Sequence, residues 1–248
     1  MPIFLLALFS SLAVSLVSFI GAFALALQKE KLQNFLIFLV SLSVGGLMGD
    51  AFIHLLPESF ELLPPLTASL LCLVGILVFF LLEKMLRWRH CHDSECEKHY
   101  NRPLVFMNLW GDMVHNAIDG LMIGASYLVS VDVGLTTTLA VILHEIPQEI
   151  GDFGVLLHSG LKISRALLVN FISGAAAILG TLLVLILEEK VSGFSQFLIP
   201  VAAGGFIYIA GSDLMPELHR ENDAKKSFLQ LVFMLTGIAL MFSLLVLE

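Results

Sequence analysis

Long apolar runs recur along this chain, and they constrain its fold more than any other feature. Six of them contain no charged residue, and each has a length close to the roughly 20 residues that cross a hydrocarbon layer. The chain is 58% hydrophobic and 14% charged, with a mean hydropathy of +0.93, which excludes an ordinary soluble domain. Backbone groups inside a bilayer must be satisfied within the segment, and no alternating strand pattern is present. The sequence therefore predicts an all-α integral membrane protein.

Two further stretches are long enough to span a membrane but carry polar groups, which brings the predicted number of transmembrane helices to eight. These helices are predicted at 4–27, 35–56, 64–86, 103–128, 134–158, 166–187, 194–217 and 227–247. Their connections are short, so residues 1–248 are expected to form a single transmembrane domain. The longest polar interval is the loop 87–102. The first run has no basic segment or cleavage site before or after it, so it is expected to be a retained helix.

Lysine and arginine are distributed unevenly between the loops. Twelve of the 13 lie after the first, third, fifth and seventh predicted helices or beside them. Because cytoplasmic loops retain these residues, we expect a multi-pass protein of a plasma or inner membrane, with both termini outside. The loop 87–102 is then cytoplasmic. A net charge of −8 and scattered basic residues exclude nucleic acid as a partner, which leaves the lipid bilayer and small cations.

A short internal repeat is visible at an offset of 159 residues. The diglycine at 45–46 matches that at 204–205, and His-Leu-Leu-Pro-Glu at 54–58 matches Asp-Leu-Met-Pro-Glu at 213–217. The two copies would cross the membrane in opposite directions. We therefore predict inverted repeats flanking a central helix pair, a 3+2+3 arrangement typical of secondary transporters. The alternative is a chance match between common ways of packing and ending helices.

Acidic residues without basic partners mark the fourth and fifth predicted helices. No Lys or Arg occurs between Pro103 and Leu161. The same stretch contains Asp112, Asp119, Asp132, Glu145, Glu149 and Asp152. A carboxylate inside a bilayer is costly unless it is protonated, paired or coordinated. A bound cation is therefore the expected counter-charge.

The ligand-type residues of these two helices follow helical spacing. In the fourth, His115, Asn116 and Asp119 share a face. In the fifth, His144 stands one turn before Gln148, Glu145 stands one turn before Glu149, and Asp152 continues that row, while Pro147 frees a backbone carbonyl nearby. Mixed nitrogen and oxygen ligands suit Zn²⁺, Fe²⁺, Mn²⁺ and Co²⁺. The alternatives are a polar network that only holds helices together and a proton relay.

These motifs also resemble a known family. His-Asn-x-x-Asp-Gly at 115–120 and His-Glu-x-Pro-x-Glu-x-Gly-Asp at 144–152 resemble signatures of the ZIP metal-ion transporters, and segments 49–58 and 213–217 resemble further motifs of that family. The resemblance implies eight helices in a 3+2+3 fold and movement of divalent metal toward the cytoplasm. Zinc is the commonest cargo, with Fe²⁺, Mn²⁺, Co²⁺ and Cd²⁺ as further candidates. It implies no other cofactor, and a homodimer.

The resemblance also implies a distribution of ligands. A primary site would use His115, Asp119, His144 and Gln148, and an adjoining second site would be reached by Asn116 and Glu145; Glu149 completes the predicted metal-binding set. Gln148 departs from the family pattern, in which many members have His and some have Glu. A neutral amide is a weaker ligand for transition metals than either.

Other polar residues are candidates for a metal pathway or a peripheral site. The pathway candidates are Asp50, His54, Asp152 and Asn170. Asp50 and His54 could guide metal inward or could bond the second predicted helix to the fourth. The loop 87–102 contains His90, Cys91, His92, Cys96 and His99, which could bind metal transiently. Their spacing is not that of a regular zinc finger, and a solvated loop is the alternative.

Two other functional classes compete with transport. A zincin-type protease needs His-Glu-x-x-His, but Gln148 occupies the second His position. An intramembrane zinc metalloprotease is thus the weaker alternative, and a metal-sensing membrane protein is another. The chain contains no phosphate-binding Gly-x-x-x-x-Gly-Lys-[Ser/Thr] motif. The sequence therefore predicts a secondary transporter rather than an enzyme.

Overall fold

The computed structural model describes residues 2–24, 29–88, 102–190 and 193–245, and it is helical with no strand in those ranges. The first part of the chain forms α1 (Ile3–Val17), α2 (Gly21–Ala24), α3 (Lys29–Gly49), α4 (Leu56–Leu62) and α5 (Pro65–Trp88). The central pair is α6 (Arg102–Val129) and α7 (Val131–His158). The last part forms α8 (Ile163–Gly174), α9 (Ala176–Lys190), α10 (Phe194–Tyr208), α11 (Met215–Leu218) and α12 (Ala224–Leu245). The predicted all-α class is confirmed.

Five helical segments of the described chain are long and apolar enough to cross a membrane. They are Phe35–Leu62, Pro65–Lys84, Ile163–Lys190, Phe194–Leu218 and Ala224–Leu245. Large apolar side chains cover the outside, as at Leu66 and Phe228, which are 73% and 65% exposed, whereas Asp119 and Glu145 are fully buried. A hydrocarbon solvent favours this distribution, in which polar groups lie inside the protein and apolar groups lie on its outside.

Two wide, π-helical turns interrupt the long helices. The first, Asp50–Leu55, joins α3 to α4, and the second, Ile209–Leu214, joins α10 to α11. Each ends just before a proline, Pro57 or Pro216. Proline has no N–H and clashes with the carbonyl four residues earlier, and a wider turn accommodates it within a continuing helix. The two turns are 159 residues apart, so the repeat seen in the sequence extends to local helix geometry.

Close helix contacts follow the same repeat. At Gly45, where α3 packs on α12, a Cβ would lie 2.0 Å from the carbonyl oxygen of Met234. At Gly204, where α10 packs on α5, a Cβ would lie 2.0 Å from the carbonyl oxygen of Cys72. Only glycine allows such an approach. The α3–α12 and α10–α5 pairs are therefore equivalent contacts in the two halves of the chain.

The proline in α7 is compensated by a neighbouring helix. Pro147 lies inside α7, so the carbonyl of Leu143, four residues earlier, loses its usual helical donor. Ser43 of α3 donates its hydroxyl to that carbonyl at 2.5 Å. The carbonyl that lacks a helical donor beside Pro147 thus accepts from α3, and the bond ties α3 to α7 at the level of His144.

Candidate metal centre

Four ligand atoms converge where α6 faces α7. His115 and Asp119 come from α6, and His144 and Glu145 come from α7. Nε2 of His144 lies 3.1 Å from Oδ2 of Asp119 and 3.5 Å from Oε1 of Glu145. Nε2 of His115 lies 3.3 Å from Oε1 of Glu145 and 3.8 Å from Oδ2 of Asp119. The two Nε2 atoms are 3.3 Å apart, so the four atoms surround one small volume.

These spacings fit a tetrahedral zinc ion. Zinc binds imidazole nitrogen and carboxylate oxygen at about 2.0–2.2 Å, and the corresponding tetrahedron has edges of about 3.3–3.6 Å. Five of the six edges of the observed set measure between 3.1 and 3.8 Å. A metal could therefore occupy the centre with only small side-chain adjustments.

The orientation of His144 supports coordination through Nε2. Its Nδ1 donates to the carbonyl of Ala140 at 3.1 Å. In a neutral ring, this bond fixes the proton on Nδ1 and leaves the Nε2 lone pair directed into the cluster. His144, Asp119 and Glu145 are buried, whereas the side chain of His115 keeps 18% of its surface exposed. The centre is thus reached from the His115 side.

A second acidic group adjoins the first through a shared residue. One oxygen each of Asp112, Glu145 and Glu149 lies within 4.8 Å of the others. Asp112 accepts hydrogen bonds from Asn116 at 2.9 Å and from Ser173 at 2.5 Å. The group is therefore built of oxygen atoms, unlike the imidazole-containing centre beside it.

A hydroxyl group and an amide group from two other residues hold Glu149 within this second group. Glu149 accepts from Ser18 at 2.6 Å and from Asn170 at 2.5 Å. Asn170 also donates to the carbonyl of Ser18 at 3.1 Å, which links α7, α8 and the segment after α1. Among the described residues, the amide oxygens of Asn116 and Asn170 are buried without a hydrogen-bond partner. They are free to accept from a hydrated cation.

The sequence places Asp112 among the acidic residues that need a counter-charge but in no predicted ligand set, and it does not assign Ser18 or Ser173 to the site. Asp112 could have been found, because it lies one turn before Asn116 on the same face of α6. Ser18 and Ser173 carried no comparable signal, since single serines in apolar helices usually bond to their own backbone.

The pathway candidates lie at several places around the centre. Asp50 is fully buried and faces Thr136 and Thr137 of α7. His54 donates through Nε2 to the carbonyl of Met241 at 3.0 Å. These contacts are with α7 and α12.

Several predicted site residues stay predictions. Gln148 and Asp152 are half-buried on α7. Glu145, which the resemblance places in an adjoining site, also contacts both imidazoles of the first cluster. The loop candidates lie outside the described residues; they are His90, Cys91, His92, Cys96 and His99.

A cavity of about 90 Å³ opens beside His115. It lies between α5, α6 and the end of α10, and it continues from the exposed side of the His115 ring. Its walls are formed by Phe79, Leu82, Glu83, Gly111, Val114, His115, Ile118, Tyr208 and Ile209. The cavity therefore adjoins the centre through His115, which belongs to both.

The fold and the centre define a class, that of polytopic helical membrane proteins with a buried imidazole and carboxylate site. The family described as ZIP Zinc transporter matches residues 2–103 and 88–245. The chain belongs to this family, and the resemblance stated from its motifs is confirmed. The membrane-embedded, multi-pass character of the chain follows from this membership and from its candidate spans.

Individual relatives agree with the family. The chain is 34% identical over 218 residues to the zinc transporter ZIP13 of Pongo abelii, covering 82% of this chain and 65% of that protein. It is 30% identical over 248 residues to the zinc transporter zipt-7.1 of Caenorhabditis briggsae, covering 76% and 63%. It is 28% identical over 296 residues to the zinc transporter SLC39A7 of Mus musculus, covering 84% and 62%.

The chain spans somewhat less than two thirds of the length of these relatives. All three are named as zinc transporters.

Proposed function

We propose that this protein carries divalent transition-metal ions, with Zn²⁺ the favoured cargo, across a membrane toward the cytoplasm through the centre between α6 and α7. The observation that carries the proposal is the set of four atoms from His115, Asp119, His144 and Glu145, whose spacings match a tetrahedral zinc ion. The names of the relatives support zinc as the cargo.

Charge favours a cation at this place for an independent reason. Asp119, Glu145, Asp112 and Glu149 are buried close together, and no Lys or Arg lies between Pro103 and Leu161. Uncompensated buried carboxylates would be costly. Fe²⁺, Mn²⁺, Co²⁺ and Cd²⁺ are further candidate cargoes, because imidazole and carboxylate ligands discriminate little among them.

The proposed architecture is a single domain of eight transmembrane helices in a 3+2+3 inverted repeat. It is supported by the 159-residue offset of the two π-helical turns and by the equivalent glycine contacts of α3–α12 and α10–α5. The distribution of Lys and Arg supports a plasma or inner membrane location with both termini outside. A homodimer is expected from the family resemblance alone.

The proposed route passes from the outside to the cytoplasm. Asp50 and His54 lie on the outer side of the centre under this orientation, whereas the cavity beside His115 lies on the inner side. Gln148, one turn after His144, is proposed as a further ligand of the primary site. Asn116, together with Glu145 and Glu149, is proposed for the adjoining site, near Asp152 and Asn170.

The test is zinc flux into proteoliposomes that contain the purified full chain. We expect His115→Ala and His144→Ala to reduce flux to the background of protein-free vesicles while membrane insertion is retained, since alanine cannot ligate. The matched control is His219→Ala, because His219 is an exposed histidine outside the cluster, and flux should be unchanged. Wild-type flux in His115→Ala would contradict the assignment of the centre.

A further inference from the structure

Glu83 is an acidic residue of α5 that faces the protein interior. It lies within the candidate membrane span Pro65–Lys84 and is half-buried. The hydroxyl of Tyr208, at the end of α10, donates a hydrogen bond to its Oε2. The neighbouring Lys84 behaves differently, because it is exposed and lies over the ring of Phe80, 5.6 Å from its centroid. Glu83 is thus not simply a charge extended toward the membrane surface.

The cavity beside the metal centre connects Glu83 with His115. Both residues line its wall, together with Tyr208. A volume of about 90 Å³ accommodates several water molecules or a partly hydrated cation. A cation that leaves the exposed side of His115 therefore enters a space whose lining includes the carboxylate of Glu83.

The polar pair of Tyr208 and Glu83 has no polar counterpart in the other half of the internal repeat. By the glycine contacts, the α10–α5 pair corresponds to the α3–α12 pair. These contacts align Gly204 with Gly45 and Cys72 with Met234. In that register, Tyr208 corresponds to Gly49 and Glu83 corresponds to Leu245, and neither Gly49 nor Leu245 has a polar side chain. Of these two equivalent helix pairs, α10–α5 has the polar pair, and it lies at the end that the Lys and Arg distribution marks as cytoplasmic.

We propose that Glu83 is a further metal-binding residue. It receives the cation from His115 when the cation leaves the centre toward the cytoplasm, and Tyr208 holds the Glu83 carboxylate when no metal is bound there. Carboxylate and hydroxyl oxygens bind zinc less firmly than a site with two imidazoles. A series of sites that bind progressively less firmly allows release. This inference rests on the proposed function for its direction of transfer.

The first test compares flux with zinc affinity in the purified full chain. In Glu83→Gln, the amide oxygen can still accept from Tyr208 but the charge is lost. We expect zinc flux to fall about tenfold while the zinc affinity of the centre stays within about twofold. Glu61→Gln, at an exposed position of α4, should leave both unchanged. Tyr208→Phe keeps the carboxylate and should retain at least half of the flux.

Two results of this comparison would overturn the proposal. One is undiminished flux in Glu83→Gln. The other is a parallel loss of flux and zinc affinity, because Glu83 would then support the centre rather than receive metal from it.

The second test detects metal at this position without measuring flux. Glu83→Cys is made in a chain whose three native cysteines are replaced by alanine, and alkylation of the new thiol by a maleimide is followed with and without Cd²⁺. We expect Cd²⁺ to slow alkylation several-fold, and to have no effect on Glu61→Cys. If the wild-type chain carries no zinc, the proposed function fails, but Cd²⁺ protection still decides the role of Glu83. Alkylation at the same rate with and without Cd²⁺ would show that Glu83 binds no metal.

Discussion

The contact between α6 and α9 predicts a large effect for a single methyl group. A Cβ added at Gly120 would lie 1.8 Å from the carbonyl oxygen of Ala177. At Gly180, a Cβ would lie 1.9 Å from the carbonyl oxygen of Ala117. Each helix therefore rests on the backbone of the other, and Thr181 adds a hydrogen bond to the carbonyl of Gly120 at 2.9 Å.

The cost of Gly120→Ala can be worked from these distances. A carbon and a carbonyl oxygen normally approach to about 3.3 Å, so the helices would have to separate by about 1.5 Å. Overpacking of this kind costs about 1–3 kcal/mol, and loss of the Thr181 hydrogen bond costs about 1 kcal/mol more. We expect a destabilisation of about 2–4 kcal/mol, or about 5–15 °C in the unfolding midpoint.

The same substitution should weaken zinc binding, because Asp119 directly precedes Gly120 and would move with α6. Both quantities are measured on purified protein in detergent, by thermal unfolding and by zinc titration. Gly154→Ala is the matched control: apart from the nearby backbone of its own helix, no atom lies within 4 Å of a Cβ at Gly154, and alanine favours the helix by about 1 kcal/mol. The control should be neutral or slightly stabilising. Equal stability of Gly120→Ala and wild type would refute the proposed helix contact.

Three further predictions concern the centre and its support. Zinc affinity should fall as the pH falls from neutral to mildly acid. The fall should reach about tenfold per pH unit for each proton that zinc must displace from its ligands. A zinc-binding isotherm that does not change over this pH range would argue against His and carboxylate ligands. Gln148→His should raise zinc affinity in a titration and narrow the range of metals carried. Gln148→Glu should also bind zinc more tightly but discriminate less against Mn²⁺ and Fe²⁺. If neither variant changes metal affinity or selectivity, Gln148 is not a ligand. Ser43→Ala should lower the free energy of unfolding by about 1–3 kcal/mol in an unfolding titration, because the carbonyl of Leu143 beside Pro147 would be left without a donor. A stability equal to that of the wild type would show that water replaces the hydroxyl.

Part of the central site was predictable from helical spacing. His115 and Asp119 are one turn apart, so any helix places them on one face. His144 and Glu145 are adjacent in sequence, so spacing alone pairs them with Gln148 and Glu149 and does not bring them to one cluster. Ser18 and Ser173 could not be assigned in this way. Their roles depend on how α1 and α8 pack against α6 and α7, and a single serine does not specify a packing partner.

The helix ends were less predictable than the helices. The apolar pattern predicts that the second helix ends at residue 56, before Pro57, but the chain continues as a helix to Leu62. The π-helical turn Asp50–Leu55 accommodates the proline that a regular α-helix would exclude. A pattern of apolar residues does not reveal such a change in pitch.

The two wide turns also decide where this chain tolerates changes of length. Inserting or deleting one residue in an α-helix rotates everything beyond it by about 100°. In α6 or α7, this would turn His115 or His144 away from the facing helix. Asp50–Leu55 and Ile209–Leu214 each already contain the extra residue of a π-turn, and a one-residue deletion there returns the helix to regular pitch. Gaps of one residue in alignments of homologous chains should therefore fall in these two segments and be missing from the central pair.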